Sequence, residues 1–341
     1  MTQTPRELVR RCVTFETPAR VPRDVWVLPW AIARYPEAWA EMNARFPPDI
    51  ATAPSPYKPS PRVQGDQYAV GEYTDEWGCR FRSVQAGVIG EVKEPLLPDI
   101  ADWRSVRPPH EILPDAADAR ACDAVNRFCA GTDRFVKTFC FPRPWERYQF
   151  IRGSENSYLD VMAPEEGAAD LLRLLHEFYL RELEFWVRTD VDAIMFMDDW
   201  GAQHQLLIPP PVWRALFKPL YRDYCDLAHA HGKFAFMHSD GCITESYEDL
   251  IEVGVDALNS QLFVMDLAEL ERIAKGRITF WGEIDRQHVL PSPDPEVGRA
   301  AVRKVVRHLY DPRGGVIAQF EFGPGANPAT ARALLEEWDR V

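Results

Sequence analysis

Long apolar runs are missing from this 341-residue chain. No stretch approaches the ~20 residues that cross a bilayer, so a membrane-spanning helix is not expected. The opening MTQTPRELVRR is charged and lacks the apolar centre of a signal peptide, and a cytoplasmic location is expected. Paired cysteines are missing too. Cys12, Cys79, Cys122, Cys129, Cys140, Cys225 and Cys242 are scattered, odd in number and never spaced C-x-x-C, which reads as free thiols. Positive charge is in short supply. With 39 Lys and Arg against 52 Asp and Glu, the net charge of −13 argues against nucleic acid or an anionic membrane as a partner. It leaves room for a local arginine cluster and a small-molecule substrate. No glycine-rich loop follows the first apolar strand, which weakens a dinucleotide-binding fold. Internal repeats and low-complexity tails are absent.

What is present is a soluble composition, 46% apolar and 27% charged, punctuated by 29 prolines. The length suits one large α/β domain over 1–341. A helix is expected over 4–14, with Pro5 at its first turn. Residues 25–28 read as the first core strand. Residues 36–66 are proline-rich and read as an excursion, and 72–94 as a hairpin-like β element. Further strands are expected at 134–141, 191–197, 233–237, 255–259, 277–281 and 315–320. Helices fall between them, at 112–129, 165–189, 210–231, 243–253, 265–274, 295–310 and 328–341. Counting the 70–90 element gives about eight strands, mostly joined by helices, which predicts a parallel (β/α)8 barrel with an N-terminal extension.

The chemistry gathers at the strand ends. In such a barrel the C-terminal ends carry the active site. Here they carry Asp198-Asp199, His238 and Asp240, Asn259 and Gln261, Glu283 and Asp285, and Glu321. The opposite ends carry ordinary residues such as Asp190, Lys233 and Arg277. Clustered carboxylates without a counter-cation cost several kcal/mol each, so a metal, an arginine set or a cationic substrate is expected. His238 and Asp240 are two apart and share a direction in a strand. With Glu321 they are the expected metal ligands, a nitrogen and two carboxylates, which suit zinc first and manganese or iron as alternatives. Glu283 and Asp198 are the expected catalytic groups. Asp199, Gln261 and Asp285 are expected substrate contacts, joined by Arg34, Tyr35, Trp145 and Arg152 from the loops. One residue of register decides whether Asp198 or Asp199 faces the pocket.

Taken in order, TPRELVRRCVTFETPARVPRD, TDEWGCRFR, WERYQFIRGSENSYLDV, the long MDDWGAQHQLLIPPPVWRALFKPLYRDYCDLAHAHGKFAFMHSDG, IEVGVDALNSQ, FWGEID and GVIAQFEFGPGANPATARALLEEW resemble the uroporphyrinogen decarboxylase superfamily. Within it they resemble the corrinoid methyltransferase-like branch. The resemblance spans nearly the whole length and implies a (β/α)8 barrel. Methyltransferases of that branch carry H-x-C after the fifth strand and a further Cys after the eighth, which hold zinc and activate a thiol. Here those positions read His238, Asp240 and Glu321, so the resemblance implies a metal held by harder ligands. The decarboxylase branch holds propionates with R-Q-A-G-R-Y, and only ARYPE, with Arg34 and Tyr35, stands here. The resemblance therefore implies a methyltransferase acting on a small methylated substrate or a corrinoid. No D-x-H-x-x-G motif occurs, so the corrinoid would sit on a separate partner protein. The alternatives are a carboxy-lyase acting on a tetrapyrrole and a non-catalytic barrel that carries one. Family precedent also allows a homodimer.

Overall fold

The computed structural model describes residues 3–115, 119–139, 142–163 and 166–341. In chain order the strands are β1 Arg23–Val27, β2 Ile50–Thr52, β3 Gly71–Thr74, β4 Arg80–Ser83, β5 Glu91–Val92, β6 Phe135–Lys137, β7 Ala193–Met197, β8 Phe234–Ser239, β9 Ala257–Ser260, β10 Thr279–Trp281 and β11 Val316–Phe322. Eight of them form one sheet in the order β1-β11-β10-β9-β8-β7-β6-β2. Every pairing is parallel. The seam between β1 and β2 is bridged at one end: the Asp49 N–H donates to the Arg23 carbonyl at 2.9 Å, and the Arg23 N–H donates to the Asp49 carboxylate at 2.8 Å. Helices cover the outside, giving a nearly closed (β/α)8 barrel.

One strand lies elsewhere than the sequence suggested. The 70–90 segment is not in the barrel. It forms β3–β5, a separate antiparallel sheet. Along β4, Phe81 and Ser83 are buried while Arg80 and Arg82 are exposed, which is the pattern of a sheet with one wet face. The second barrel strand is β2, three residues inside the proline-rich excursion. The expected helix over 210–231 is also two, Pro210–Leu216 and Lys218–Ala230. Pro219 has no N–H to give the preceding turn, and its ring crowds the carbonyl four residues back. The expected helix over 112–129 is shorter, Asp123–Ala130. The expected strand end at 140–141, with Cys140, and the expected helix start at 165 lie outside the described residues.

The barrel interior is apolar at its N-terminal end. Ile50, Phe135, Ala193, Met195, Phe236, Ala257, Trp281 and Ile317 pack there with Val9, Cys12 and Val13. Those last three come from the helix Pro5–Val13, which Thr4 and Glu7 close with a reciprocal capping box. This helix therefore stops the bottom of the barrel, and ligand access is left to the opposite, C-terminal face. No helix among the described residues is long and apolar enough to cross a membrane.

Candidate functional site

The C-terminal face opens into a cavity of about 610 Å³, walled by Trp26, Leu28, Phe81, Ile89, Phe150 and Met197 among others. Its polar lining comprises Glu91, Arg143, Glu146, Gln149, Ser154, Asp199, His238, Asp240, Arg286 and Glu321.

Strand alternation aims the central groups. Phe236 and His238 point inward on β8, while the Ser239 hydroxyl turns away to accept the Trp200 N–H at 3.1 Å. Only 6% of His238 is exposed. Its Nδ1 lies 2.6 Å from the Asn259 Oδ1, and the Asn259 amide nitrogen donates to the Trp281 carbonyl. With its NH2 so used, Asn259 presents an acceptor, and Nδ1 must donate to it. Nε2 then faces the cavity. It stands 3.6 Å from an Asp199 oxygen and 3.7 Å from an Asp240 oxygen. Burial opposes an imidazolium here, but Asp240 and Asp199 outweigh it and raise the His238 pKa above its ordinary value.

Asp240 is held by a tight turn. Its N–H donates to Asp199 at 3.0 Å, and its carbonyl accepts from the Gly201 N–H at 3.0 Å. Gly241 follows at φ +80°, where a Cβ would stand 2.1 Å from the Gly201 carbonyl oxygen, so no side chain fits. One Asp240 oxygen, Oδ1, is shut off from solvent and has no hydrogen-bond partner. The other is taken by Arg286, which also reaches Glu321 at 3.4 Å and Glu283 at 3.8 Å. Burial pushes the Glu283 carboxyl up to about 8, against the pull of Arg286 and with the push of Asp240 and Glu321. Glu146 stands 3.9 Å from Arg143 and is raised to about 7, again chiefly by burial.

These positions sort the residues singled out from sequence. Asp199, His238, Asp240 and Glu321 meet in one cavity, with Glu283 buried behind Arg286. Asp199, His238 and Asp240 bring one ligand atom each to within 4.8 Å of one another. Glu321, expected as the third ligand, is drawn to Arg286 instead. Asp198 does not face the cavity. It is fully buried, and its carboxylate accepts from the Trp145 and Glu146 N–H groups at 2.9 and 2.8 Å and from the Tyr221 hydroxyl at 2.6 Å. Trp145 is core, stacked on Trp200 with centroids 5.3 Å apart. Arg152 pairs with Asp160 at 2.7 Å and donates to the Leu97 and Pro98 carbonyls. Arg34 is exposed and lies over the Tyr35 ring, which packs near Phe322. Gln261 accepts from the Gly241 N–H, and Asp285 accepts from the N–H groups of Gln287 and His288. None of these lines the cavity. Arg286 and Glu146 were missed by the sequence reading. Arg286 lies three residues beyond Glu283, a spacing that could have flagged it.

The three-atom cluster also fits a cation. With Nδ1–H tied to Asn259, a neutral His238 would aim its Nε2 lone pair at two carboxylates, and Asp240 Oδ1 would stay orphaned. Either a proton on Nε2 or a divalent metal removes that conflict. One imidazole nitrogen and two carboxylate oxygens form a donor set that zinc, manganese or ferrous iron accepts.

The sequence profile of the uroporphyrinogen decarboxylase (URO-D) family matches residues 74–341. The chain belongs to the URO-D family. No curated protein matches it. Among solved structures, a methyltransferase from Methanosarcina mazei superposes with a TM-score of 0.68, at 14% identity and over 99% of each chain. Two others are more distant. An endo-β-1,4-xylanase from Gloeophyllum trabeum gives 0.39 at 11% identity, over 65% of this chain and 80% of its own. A chitinase from Chromobacterium violaceum gives 0.39 at 9% identity, over 94% and 99%. The first match shows that this URO-D member shares the methyltransferase's barrel fold.

Proposed function

We propose that this URO-D family member is a metal-dependent enzyme of the methyltransferase type, with its site at the barrel mouth. The observation that carries the reading is the Nε2 atom of His238, set 3.6 and 3.7 Å from two carboxylate oxygens of which one has no other partner. His238, Asp240 and Asp199 would hold the metal, with Glu321 kept by Arg286. A divalent ion bound there supplies Lewis acidity that lowers the pKa of a thiol or hydroxyl acceptor. Asn259 fixes the imidazole so that Nε2 faces the cavity. Glu146, with its carboxyl near 7, holds or yields a proton at neutral pH. Arg286 restrains Asp240, and the apolar walls from Trp26 to Phe150 limit water. The methyl group would come from a small methylated substrate or pass to or from a corrinoid on a partner protein. Family membership and the barrel shared with the Methanosarcina methyltransferase support this reading.

The test is elemental analysis of the purified protein beside an His238→Ala/Asp240→Ala variant, followed by methylcobalamin and a thiol acceptor with loss of the methylcobalamin absorbance as readout. Near-stoichiometric zinc, manganese or iron that disappears in the variant, with metal-dependent demethylation, is the expected result. A metal-free and demethylation-inactive protein would overturn it.

Arg286 favours a second reading. Its guanidinium already contacts Asp240, Glu283 and Glu321 and offsets one negative charge there without any metal. A metal-free carboxy-lyase would release CO2 from a tetrapyrrole acid, leaving the electron pair on carbon to take a proton from a cavity acid. Turnover of uroporphyrinogen by metal-free protein would select it.

A further inference from the structure

Outside the barrel lies a second cavity, of about 320 Å³, that shares no lining residue with the first. It is walled by Tyr57, Trp77, Phe178 and Tyr179, with Glu76 and Glu182 as its carboxyl groups and Lys58 and Arg147 as its cations. The helix Pro144–Arg152 separates the two cavities, its N-cap Arg143 and its Glu146 and Gln149 lining the barrel mouth and its Arg147 lining this one.

Glu182 is the unusual member. It projects from the helix Glu166–Trp186 and is only 3% exposed, yet its Oε2 has no hydrogen-bond partner. Its carboxyl group is bonded by Tyr57, whose hydroxyl accepts from Trp186 Nε1 at 2.7 Å. Having accepted that proton, Tyr57 donates its own onward to Glu182. A tyrosine and a tryptophan thus orient a carboxyl group whose second oxygen is unpartnered and shut off from solvent. Burial raises Glu182 to about 7, with Glu76 adding to the push. Glu182 has no ion-pair counter-cation among the described residues, although Arg143 and Arg147 both act to lower its pKa.

The arginine beside it is not that counter-cation. Arg147 is already paired with Asp75 and with Glu76 at 3.4 Å. It also shows that these walls accept a positive charge, since its guanidinium lies 5.2 Å from the Trp77 ring centroid. Trp77 and Phe178 meet edge to face at 5.0 Å, and Phe178 and Tyr179 at 5.7 Å, so the aromatic wall is continuous. An anion would meet two carboxyl groups here beside Lys58, while Arg147 is already paired with Asp75 and Glu76.

We propose that this cavity binds a small protonated organic amine, which donates an N–H to Glu182 and lays its carbon skeleton against Trp77, Phe178 and Tyr179. The charge pairs with a buried carboxyl group that has no ion-pair partner among the described residues, and the rings add attraction to the ammonium and its adjacent carbons.

Benzylamine serves as the probe and benzyl alcohol as its neutral counterpart, followed by calorimetry and tryptophan fluorescence. Benzylamine is expected to saturate at one per chain, with benzyl alcohol at least ~10-fold weaker. Glu182→Gln keeps the shape and removes the charge, and should weaken benzylamine by a similar factor. Val63→Trp fills the rim without touching Glu182 and should also weaken it. The His238→Ala/Asp240→Ala variant should bind benzylamine like wild type, which separates this site from the barrel mouth. Absence of saturable binding would overturn the proposal and leave a water-filled void. Equal affinity for Glu182→Gln, equal affinity for benzyl alcohol, or loss of binding in the barrel-mouth variant would overturn it as well.

Discussion

Replacing Asp198 by alanine separates a structural carboxylate from a catalytic one. The helix Pro144–Arg152 has no side-chain cap of its own, since Arg143 at its N-cap provides none. Asp198 supplies that cap from β7's end, taking the N–H groups of Trp145 and Glu146, the second and third residues of the helix. It also accepts from Tyr221, whose hydroxyl in turn accepts from Trp200 Nε1 at 2.7 Å. Alanine would strand three buried donors. At ~1–3 kcal/mol per orphaned group, with partial relaxation, the loss is about 4 kcal/mol. Asp198→Asn keeps one acceptor oxygen and should lose about half of that. Urea unfolding measures both, with the two slopes compared to exclude a change in the unfolded state. If Asp198→Ala unfolds at the wild-type urea midpoint yet has lost turnover, the capping argument is wrong and Asp198 acts on substrate.

Three further outcomes follow from the site. Asn259→Ala frees the His238 ring and should weaken divalent-metal binding ~10–100-fold in equilibrium dialysis, while Asn259→Asp, which still accepts from Nδ1, should largely restore it. Arg286→Ala leaves Asp240, Glu283 and Glu321 without their guanidinium. It should tighten metal binding ~10-fold and lower the metal-free protein's stability by ~1–3 kcal/mol, and unchanged metal affinity would contradict the contact. Glu283 keeps its proton in the folded chain up to about 8, well above its ordinary 4.5. The folded state therefore binds more protons than the unfolded state between those values, and stability present below the lower one is lost as pH rises through the upper. Glu283→Gln should remove ~4 kcal/mol of that slope between pH 5 and 9, read as the difference in urea stability from wild type.

The barrel was legible because most of its strands are buried on both faces, and such strands read as continuous apolar runs between helices. AIMFM and FAFMHS announce themselves in this way. β2 does not. Three residues between prolines carry no periodicity, and what makes Ile50–Thr52 a strand is its pairing with β6, a contact distant in sequence. The GEYT and RFRS pair showed a stronger local β pattern, but half of that pattern is exposed surface, so it marks a sheet outside the barrel.

The site was legible where it depends on alternation and obscure where it depends on loops. His238 follows directly from the two-residue period of β8. Asp198 and Asp199 needed the register of β7. Met197 lines the cavity, so the next inward residue is Asp199, and Asp198 turns to the helix behind. Arg152 and Trp145 looked like ligand contacts because an arginine and an indole beside a strand end suit a pocket. Their partners, Asp160 and Trp200, consume them, and only three-dimensional packing reveals that. Arg286 sits beyond a strand tip, where sequence gives no direction for a side chain, and Glu146 sits on the helix Pro144–Arg152, which only the fold brings to the barrel mouth.

The charges of the barrel mouth tie these groups into one system. Five carboxyl groups, from Glu146, Asp199, Asp240, Glu283 and Glu321, face Arg143, Arg286 and His238. On the acid side of pH 7, with Glu146 and Glu283 holding their protons and His238 protonated, three carboxylates balance three cations, and the metal-free site is electrically neutral. A divalent metal on Asp199, His238 and Asp240 must displace the His238 proton, which leaves one excess positive charge. The nearest relief is ionisation of Glu146 or Glu283, which burial raises to about 7 and about 8. Metal binding should therefore release about two protons per ion at pH 7, and bind more tightly as pH rises. Calorimetry in two buffers of different ionisation enthalpy counts those protons. A count near zero would mean that the metal sits away from His238 and that the imidazolium, not the metal, is the cation for which this acid cluster is built.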